Sequence, residues 1–244
     1  MHRFFLESLL ADTVYIYGED AHHITRVLRL SPGDTIEIVG RDGEAALGSI
    51  ASADPKEVEV QLRARLAGSH EPSVEVILAQ GLPKGDKMDF IIQKTVELGV
   101  GKIIPWTGQH SVVQYNKDKE AGRVSRWQKI AAEAAKQCKR NRIPAVEPVQ
   151  TLADILAQAD RNTLKIMFYE QERVLGLKQV LSDQKRNSFL LLVGPEGGFS
   201  ADELNLCRQH NVNVTTLGPR TLRTETAALA GITAVMYECG DLGG

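Results

Sequence analysis

Two glycine- and proline-rich turns late in the chain hold the densest set of groups able to do chemistry. The first reads Gly194-Pro195-Glu196-Gly197-Gly198-Phe199-Ser200. The second, Leu217-Gly218-Pro219-Arg220, leads through Leu222 to Arg223-Thr224-Glu225-Thr226-Ala227. Glycines let a backbone approach a ligand closely, so turns of this kind offer N–H donors and carbonyl acceptors. Pro195 and Pro219 stiffen them, which suits a compact ligand held by a preformed wall better than a closing flap. The first turn has the glycine content of a phosphate loop but lacks the lysine of GxxxxGK, and Glu196 would repel a polyphosphate. A GxGxxG dinucleotide fingerprint and a GxSxG nucleophile elbow are also missing. A neutral or positively charged adenine-bearing cofactor fits better than ATP or NAD.

The elements around the turns read as strand alternating with helix. Leu190, Leu191, Leu192 and Val193 form an unbroken apolar run, the pattern of a strand buried on both faces of a parallel sheet. Ser200 stands three residues before Glu203, the spacing of a capping box, so a helix should start there. Val212, Val214 and Leu217 precede the second turn, and a second helix should run from about Thr224 to Tyr237. Two such turns at neighbouring strand ends make a crevice of the kind where open α/β sheets bind ligands. Upstream, Val74 to Ala79 reads as a strand. A helix should follow from about Asp86 to Leu98, with Met88, Ile91, Ile92, Thr95 and Val96 inward and Gly99 as its stop. Ile103 to Trp106, a short helix from Thr151 to Ala159 and a strand from Thr163 to Phe168 continue the alternation. That last strand ends in Tyr169-Glu170-Gln171-Glu172-Arg173. Its paired carboxylates could serve acid/base work or a metal. The better use is one carboxylate steering a positively charged ligand or hydrogen-bonding a sugar.

The first 70 residues have a different grammar. Thr13 to Tyr17, Thr35 to Val39, Ala45 to Ile50 and Val58 to Leu66 read as short strands, with Arg41-Asp42-Gly43 as a hairpin turn, so a small β barrel or compact sheet is expected. This part is acidic, with 7 cationic against 11 anionic side chains. Nucleic-acid contact here should be local, through Arg26 and Arg29, three apart on a helical turn; a solvated edge beside Ile24, Val27 and Leu28 is the alternative. His22 and His23 have no partner at metal-ligand spacing. A boundary falls near Ala67-Gly68-Ser69-His70-Glu71-Pro72, giving domains 1–70 and 71–244.

Overall charge is near balance, 29 Lys plus Arg against 31 Asp plus Glu, which argues against wholesale coating of nucleic acid. Between Lys117 and Arg142, however, 9 cations face 3 anions, carried largely on one helix whose apolar side includes Trp127, Ile130, Ala131 and Ala134. Arg123 and Arg126 belong to this run. A solvated face is one reading and a surface that tracks RNA phosphates the other. Gln137 and Arg140, three apart, share a face and could reach a bound ligand. The three cysteines, Cys138, Cys207 and Cys239, are odd in number and far apart, which favours a reducing, cytoplasmic setting without a disulfide framework. No run approaches a membrane span, and no metal-ligand spacing occurs.

At this point the residues carry a resemblance. The two turns together resemble the paired signatures of the SPOUT, or trefoil-knot, RNA methyltransferases, and more specifically the bacterial family that methylates N3 of a uridine in 16S ribosomal RNA. The likeness extends to Lys84-Gly85-Asp86-Lys87-Met88, Glu97-Leu98-Gly99-Val100, Ser111-Val112-Val113, and Arg126-Trp127 through Ala134-Ala135 to Gln137 and Arg140. Residues 1–70 match the family's N-terminal PUA-like barrel in length and strand content. His110 departs from the pattern, standing where arginine is expected; a mostly neutral imidazole puts that phosphate contact in doubt.

The resemblance implies an α/β C-terminal domain with a parallel sheet and a trefoil knot, holding S-adenosylmethionine. It implies cofactor contacts at Leu192, Gly194, Pro195, Glu196, Gly197, Gly198, Leu217, Gly218, Leu222, Thr224 and Glu225, and RNA contacts at Lys84, Lys87 and His110 besides the basic residues above. Arg223, and after it Arg220, would stabilise a uracil oxygen or developing anion, with a structural clamp on the loop as the competing role. Partners would be 16S rRNA in the 30S subunit and a second copy of the chain. Ala227, Ala228, Ala230 and Gly231 suit close helix packing, across a dimer axis or within the chain. A methyltransferase acting on tRNA and a ribosome-binding module without catalysis are the alternatives.

Overall fold

The computed structural model describes residues 1–111, 117–182 and 185–243. Val112 and Val113 lie outside the described residues, as do the side chains of Lys117 and Asp118. The chain divides into two compact units, residues 1–71 with 135–143, and residues 72–134 with 144–244.

The first unit contains β1 (Arg3–Phe5), β2 (Thr13–Tyr17), α1 (Gly18–His22) running into a π-helical turn (His23–Val27), β3 (Thr35–Val39), β4 (Ala45–Ala53) and β5 (Glu57–Leu66). The strands form one sheet in the order β1-β3-β4-β5-β2, antiparallel except for the β1–β3 pair. Alternation along the strands sends Val14, Ile16, Ile36, Ile38, Val58 and Val60 into a common core with Phe4, Ala21 and Ile24. Arg26 and Arg29 are both exposed, but they do not share a helical face. The π-helical turn ends at Val27, and Arg29 sits beyond it in the left-handed region at φ 55°.

The segment 135–143 is tied into this unit by a polar cluster. Arg3 donates to Glu37 at 3.2 Å and to Asn141 at 2.9 Å. The Glu71 carboxylate accepts from Arg140 at 2.6 Å and from the backbone N–H groups of Asn141 and Arg142 at 2.8 and 3.0 Å. Burial alone would raise the Glu71 pKa, but these donors outweigh it and hold the carboxyl below its usual range. The expected RNA contact at Arg140 is therefore corrected: its side chain is buried and its fork is spent on Glu71. Gln137, three residues earlier, is exposed.

The second unit contains β6 (Glu75–Gly81), α2 (Lys87–Glu97), β7 (Lys102–Thr107), most of α3 (Lys117–Gln137), β8 (Ala145–Val146), β9 (Gln150–Thr151), α4 (Leu152–Gln158), β10 (Leu164–Phe168), α5 (Leu177–Leu181), β11 (Ser188–Val193), α6 (Ala201–Gln209), β12 (Asn213–Thr215) and α7 (Thr224–Glu238). Every pairing in its seven-stranded sheet is parallel, in the order β12-β10-β11-β6-β7-β8 with β9 also on β7. Its central strand β11 is buried along nearly its whole length, as its apolar run requires. The chain leaves β10, β11 and β12 at the same edge of the sheet, so the turns after β11 and β12 face a shared crevice. β10 stands between β11 and β12, so the two turns flank its end and do not follow neighbouring strands; what the pairing describes is a parallel-sheet domain, and the expected SPOUT trefoil knot is not part of it.

Close packing at two glycines fixes the geometry around that crevice. A Cβ on Gly81 would lie 2.4 Å from the Pro195 nitrogen, so only glycine lets the end of β6 pass the first turn. A Cβ on Gly231 would meet the Phe168 ring at 2.2 Å; this glycine of α7 serves packing within the chain. Among the described residues no helix is long and apolar enough to cross a membrane, and no group of three or more His, Cys, Asp or Glu could hold a metal ion.

Candidate functional site

A cavity of about 510 Å³ opens between the two turns, within the range of pockets that enclose a drug-sized molecule. Gly194 to Phe199 form one wall, Thr216 to Gly218 and Arg220 to Thr224 another. Phe168, Tyr169 and Glu170, from the end of β10, complete it.

The first turn is held from all sides. Its exit is the capping box read from the sequence: Ser200 Oγ accepts from the Glu203 N–H at 3.2 Å, and the Glu203 carboxylate accepts from the Ser200 N–H at 2.8 Å. Phe199 stacks on Trp106 with ring centroids 5.4 Å apart, while Trp106 Nε1 donates to the Val193 carbonyl at 3.2 Å. His110 Nδ1 donates to the Gly197 carbonyl at 3.1 Å, so this histidine braces the turn. Glu196 accepts from the Lys84 N–H at 3.2 Å and from Lys87 Nζ at 2.7 Å. Burial works to raise the Glu196 pKa, but Lys87 and the backbone N–H donors prevail and hold it below the usual carboxylate range. The hydrogen bond to Glu196 in turn raises the Lys87 pKa.

A buried relay links this turn to the start of α7. Gln80 Nε2 donates to Thr224 Oγ1 at 2.8 Å and to the Gly81 carbonyl at 2.9 Å; Thr224 Oγ1 donates to the Gly194 carbonyl at 2.6 Å. Gln80 is wholly buried at the end of β6. A polar residue closing the apolar run Val76-Ile77-Leu78-Ala79 was the sequence signal that could have flagged it.

The second turn is looser. Thr216 Oγ1 accepts from the Gly218 N–H at 3.1 Å and donates to its carbonyl at 3.0 Å. Arg220, Thr221 and Arg223 are exposed and line the cavity, so two guanidinium groups stand at its rim.

Of the sequence-predicted cofactor residues, Gly194, Pro195, Glu196, Gly197, Gly198, Leu217, Gly218, Leu222 and Thr224 line the cavity. Two do not. Leu192 packs into the core with Ala79, Trp106 and Phe199, and the next residue, Val193, lines the cavity in its place. Glu225 points instead to Lys87, 3.7 Å from its Nζ. Of the RNA-contact candidates in this unit, Lys84 is exposed, Lys87 is the cation that braces Glu196, and Arg126 pairs with Asp89. Arg123 is half-buried. Phe168, Tyr169, Thr216 and Thr221 were missed because no local pattern marks them, and Gln80 was missed although the polar end of its apolar run marks it. Cys207 is buried and its thiol is pushed up to about 12, by burial first and Glu203 second, so it is no nucleophile.

Comparison with known proteins gives a consistent picture. Residues 70–236 match a family described as an RNA methyltransferase domain and residues 16–63 one described as an RNA methyltransferase PUA domain. The chain is 35% identical to ribosomal RNA small subunit methyltransferase E of Bacillus subtilis, over 98% of this chain and 97% of that protein. The structure of a ribosomal RNA small subunit methyltransferase E from Neisseria gonorrhoeae, bound to S-adenosyl methionine, superposes with a TM-score of 0.90 at 30% identity and 99% coverage of both chains. A methyltransferase structure from Legionella pneumophila, also in complex with that cofactor, gives 0.88 at 29% identity and 98% coverage of both. These findings describe a PUA-like domain followed by a parallel-sheet methyltransferase domain. None describes a knot, and the SPOUT trefoil-knot expectation is corrected accordingly.

Proposed function

This chain belongs to the ribosomal RNA small subunit methyltransferase E family of RNA methyltransferases, and from that membership we propose that it transfers a methyl group from S-adenosylmethionine to N3 of a uridine in 16S ribosomal RNA. The observation that carries the reading is the cavity: a preformed wall of backbone groups on one side and two exposed arginines on the other. The fit is chemical as well as spatial. Lys87, the lysine that lines the cavity, is taken up by Glu196 and Glu225.

When bound, the cofactor supplies a methyl group already activated by its sulfonium. Gly194 to Gly198, Leu217, Gly218, Leu222 and Thr224 hold it, through backbone groups and apolar contact. The protein's remaining task is to orient a uracil and favour negative charge at N3 and the flanking oxygens as the N3 proton leaves. Arg223, at the N-cap of α7, and Arg220 provide positive charge for this at the rim of the cavity, where bound RNA would exclude water and make a cation worth more than in bulk solvent. Arg26, Arg29 and Gln137 in the first unit, and Lys84 and Arg123 in the second, are assigned to contacts with RNA phosphates, which position the substrate and carry no base information. Residues 1–70 serve as the RNA-docking domain. The working form is a cytoplasmic homodimer acting on the assembled 30S subunit.

The test is transfer of labelled methyl from S-adenosylmethionine to 30S subunits, naked 16S rRNA and tRNA, each from cells lacking this activity. Label confined to 30S subunits is expected. Label in tRNA would move the substrate, and calorimetric cofactor binding without transfer to any RNA would reduce the protein to a binding module.

A further inference from the structure

Two carboxylates line the cavity, Glu170 and Glu196, and they are in opposite states. Glu196 is saturated by the Lys84 N–H and by Lys87. Glu172, the other acid of the β10 turn, is likewise consumed, by the N–H groups of Arg173, Val174 and Leu175 at 2.9, 2.7 and 3.2 Å. Among the described residues no hydrogen bond or ion pair reaches the Glu170 carboxylate. Only its backbone carbonyl is engaged, accepting from Arg173 at 2.5 Å.

The place of Glu170 in the sheet gives those open lone pairs a use. β10 and β11 run parallel with Phe168 opposite Val193, so Glu170, two residues past Phe168, is level with Pro195 in the first turn. Its carboxylate lies against that turn: a Cβ on Gly198 would stand 3.0 Å from Oε1 and 3.6 Å from Oε2. In dinucleotide-binding sheets an acidic side chain about 20 residues past the glycine turn accepts from a ribose hydroxyl; Glu170 precedes its turn in the chain but sets the same group beside it. A carboxylate can take two hydroxyl donors at once. A sulfonium offers no such hydrogen, and its attraction to an exposed carboxylate would be screened by water.

We infer that Glu170 is the acceptor for the ribose hydroxyls of the cofactor, a specificity residue for its nucleoside part; this rests on reading the cavity as the S-adenosylmethionine site. Calorimetric titration of wild type, Glu170→Gln and Glu170→Ala with S-adenosylmethionine, S-adenosylhomocysteine and a homocysteine analogue lacking the ribose 2′- and 3′-hydroxyls tests it, with thermal melts to confirm folding. Loss of both natural ligands by roughly ten- to a hundredfold in Glu170→Ala is expected, less in Glu170→Gln. Wild type should discriminate against the dideoxy analogue by a similar factor, and Glu170→Ala should hardly discriminate. Weakening of S-adenosylmethionine alone would assign Glu170 to the sulfonium and overturn the inference, as would unchanged affinities. Wild type binding neither natural ligand would instead overturn the cofactor reading, and the inference with it.

Discussion

The two turns that face each other across the cavity are built on opposite principles. The first is braced by Glu196 on Lys84 and Lys87, by His110 on Gly197, by Thr224 on Gly194 and by the Ser200–Glu203 box. The second has a local Thr216–Gly218 pair and otherwise exposes Arg220, Thr221 and Arg223. A wall with its hydrogen bonds already made loses little freedom on binding, which suits a small cofactor. Exposed cations can adapt to a large RNA before they act. The difference thus divides labour: the braced turn, with Leu217, Gly218 and Leu222 opposite it, holds the cofactor, and the exposed arginines of the second turn act on the base.

The largest effect that could break this division is expected from Arg223→Ala. Single-turnover methyl transfer should fall by roughly 10²–10³, as when one group stabilising developing charge is removed. Calorimetric cofactor affinity should stay within about threefold, less than 1 kcal/mol. A large affinity loss with unchanged turnover would assign Arg223 to the holding side. Next come the glycines. Gly81→Ala forces a Cβ into the backbone of Pro195 and should cost about 1–3 kcal/mol in denaturant melts, with loss of cofactor affinity. A Cβ on Gly218 meets nothing within 4 Å but would sit at φ 117°, so Gly218→Ala should act through local strain and weaken cofactor binding and transfer together.

Thr224→Val removes both the donor to Gly194 and the acceptor for Gln80, and should weaken cofactor binding by about 1–2 kcal/mol, whereas Thr224→Ser retains the relay and should bind normally. Equal loss in both variants would show packing, and not the hydroxyl, to be the active feature. Lys87→Met should be the mildest, under about 1 kcal/mol, because its ion pair with Glu196 is partly exposed. The same pair sets a pH dependence. The Glu196 pKa is depressed in the folded protein, so its contribution is complete above the usual carboxylate range and is lost as the pH falls through the depressed value. Cofactor affinity of the wild type should therefore decline on acidification below that range, and less steeply in Lys87→Met.

What was legible in the sequence was what local pattern encodes. The buried β11 run, the capping box at Ser200 and the glycine turns each follow from residues within one element, and they placed most of the cavity wall. What was not legible depends on partners far away in the chain. Arg140 looked like a free cation on a basic helix until Glu71, 69 positions earlier, took its guanidinium. Gln80 meets Thr224 across 144 positions, beyond any spacing argument. Leu192 and Val193 show a finer limit: successive strand residues point to opposite faces, so an expectation one residue out exchanges core for cavity. Basic charge was likewise overcounted. Lys136 pairs with Asp20 and Arg126 with Asp89, leaving less of that helix for phosphates than its composition implied.

The most direct measurement is nucleoside-resolved mass spectrometry of 16S rRNA recovered from 30S subunits after incubation with the protein and S-adenosylmethionine. The expected result is N3-methyluridine at a single position, formed roughly 10²–10³ times more slowly when Arg223→Ala replaces the wild type. Methyl on a ribose 2′-oxygen or on uracil C5, or no methyl at all from a protein that binds the cofactor, would contradict it.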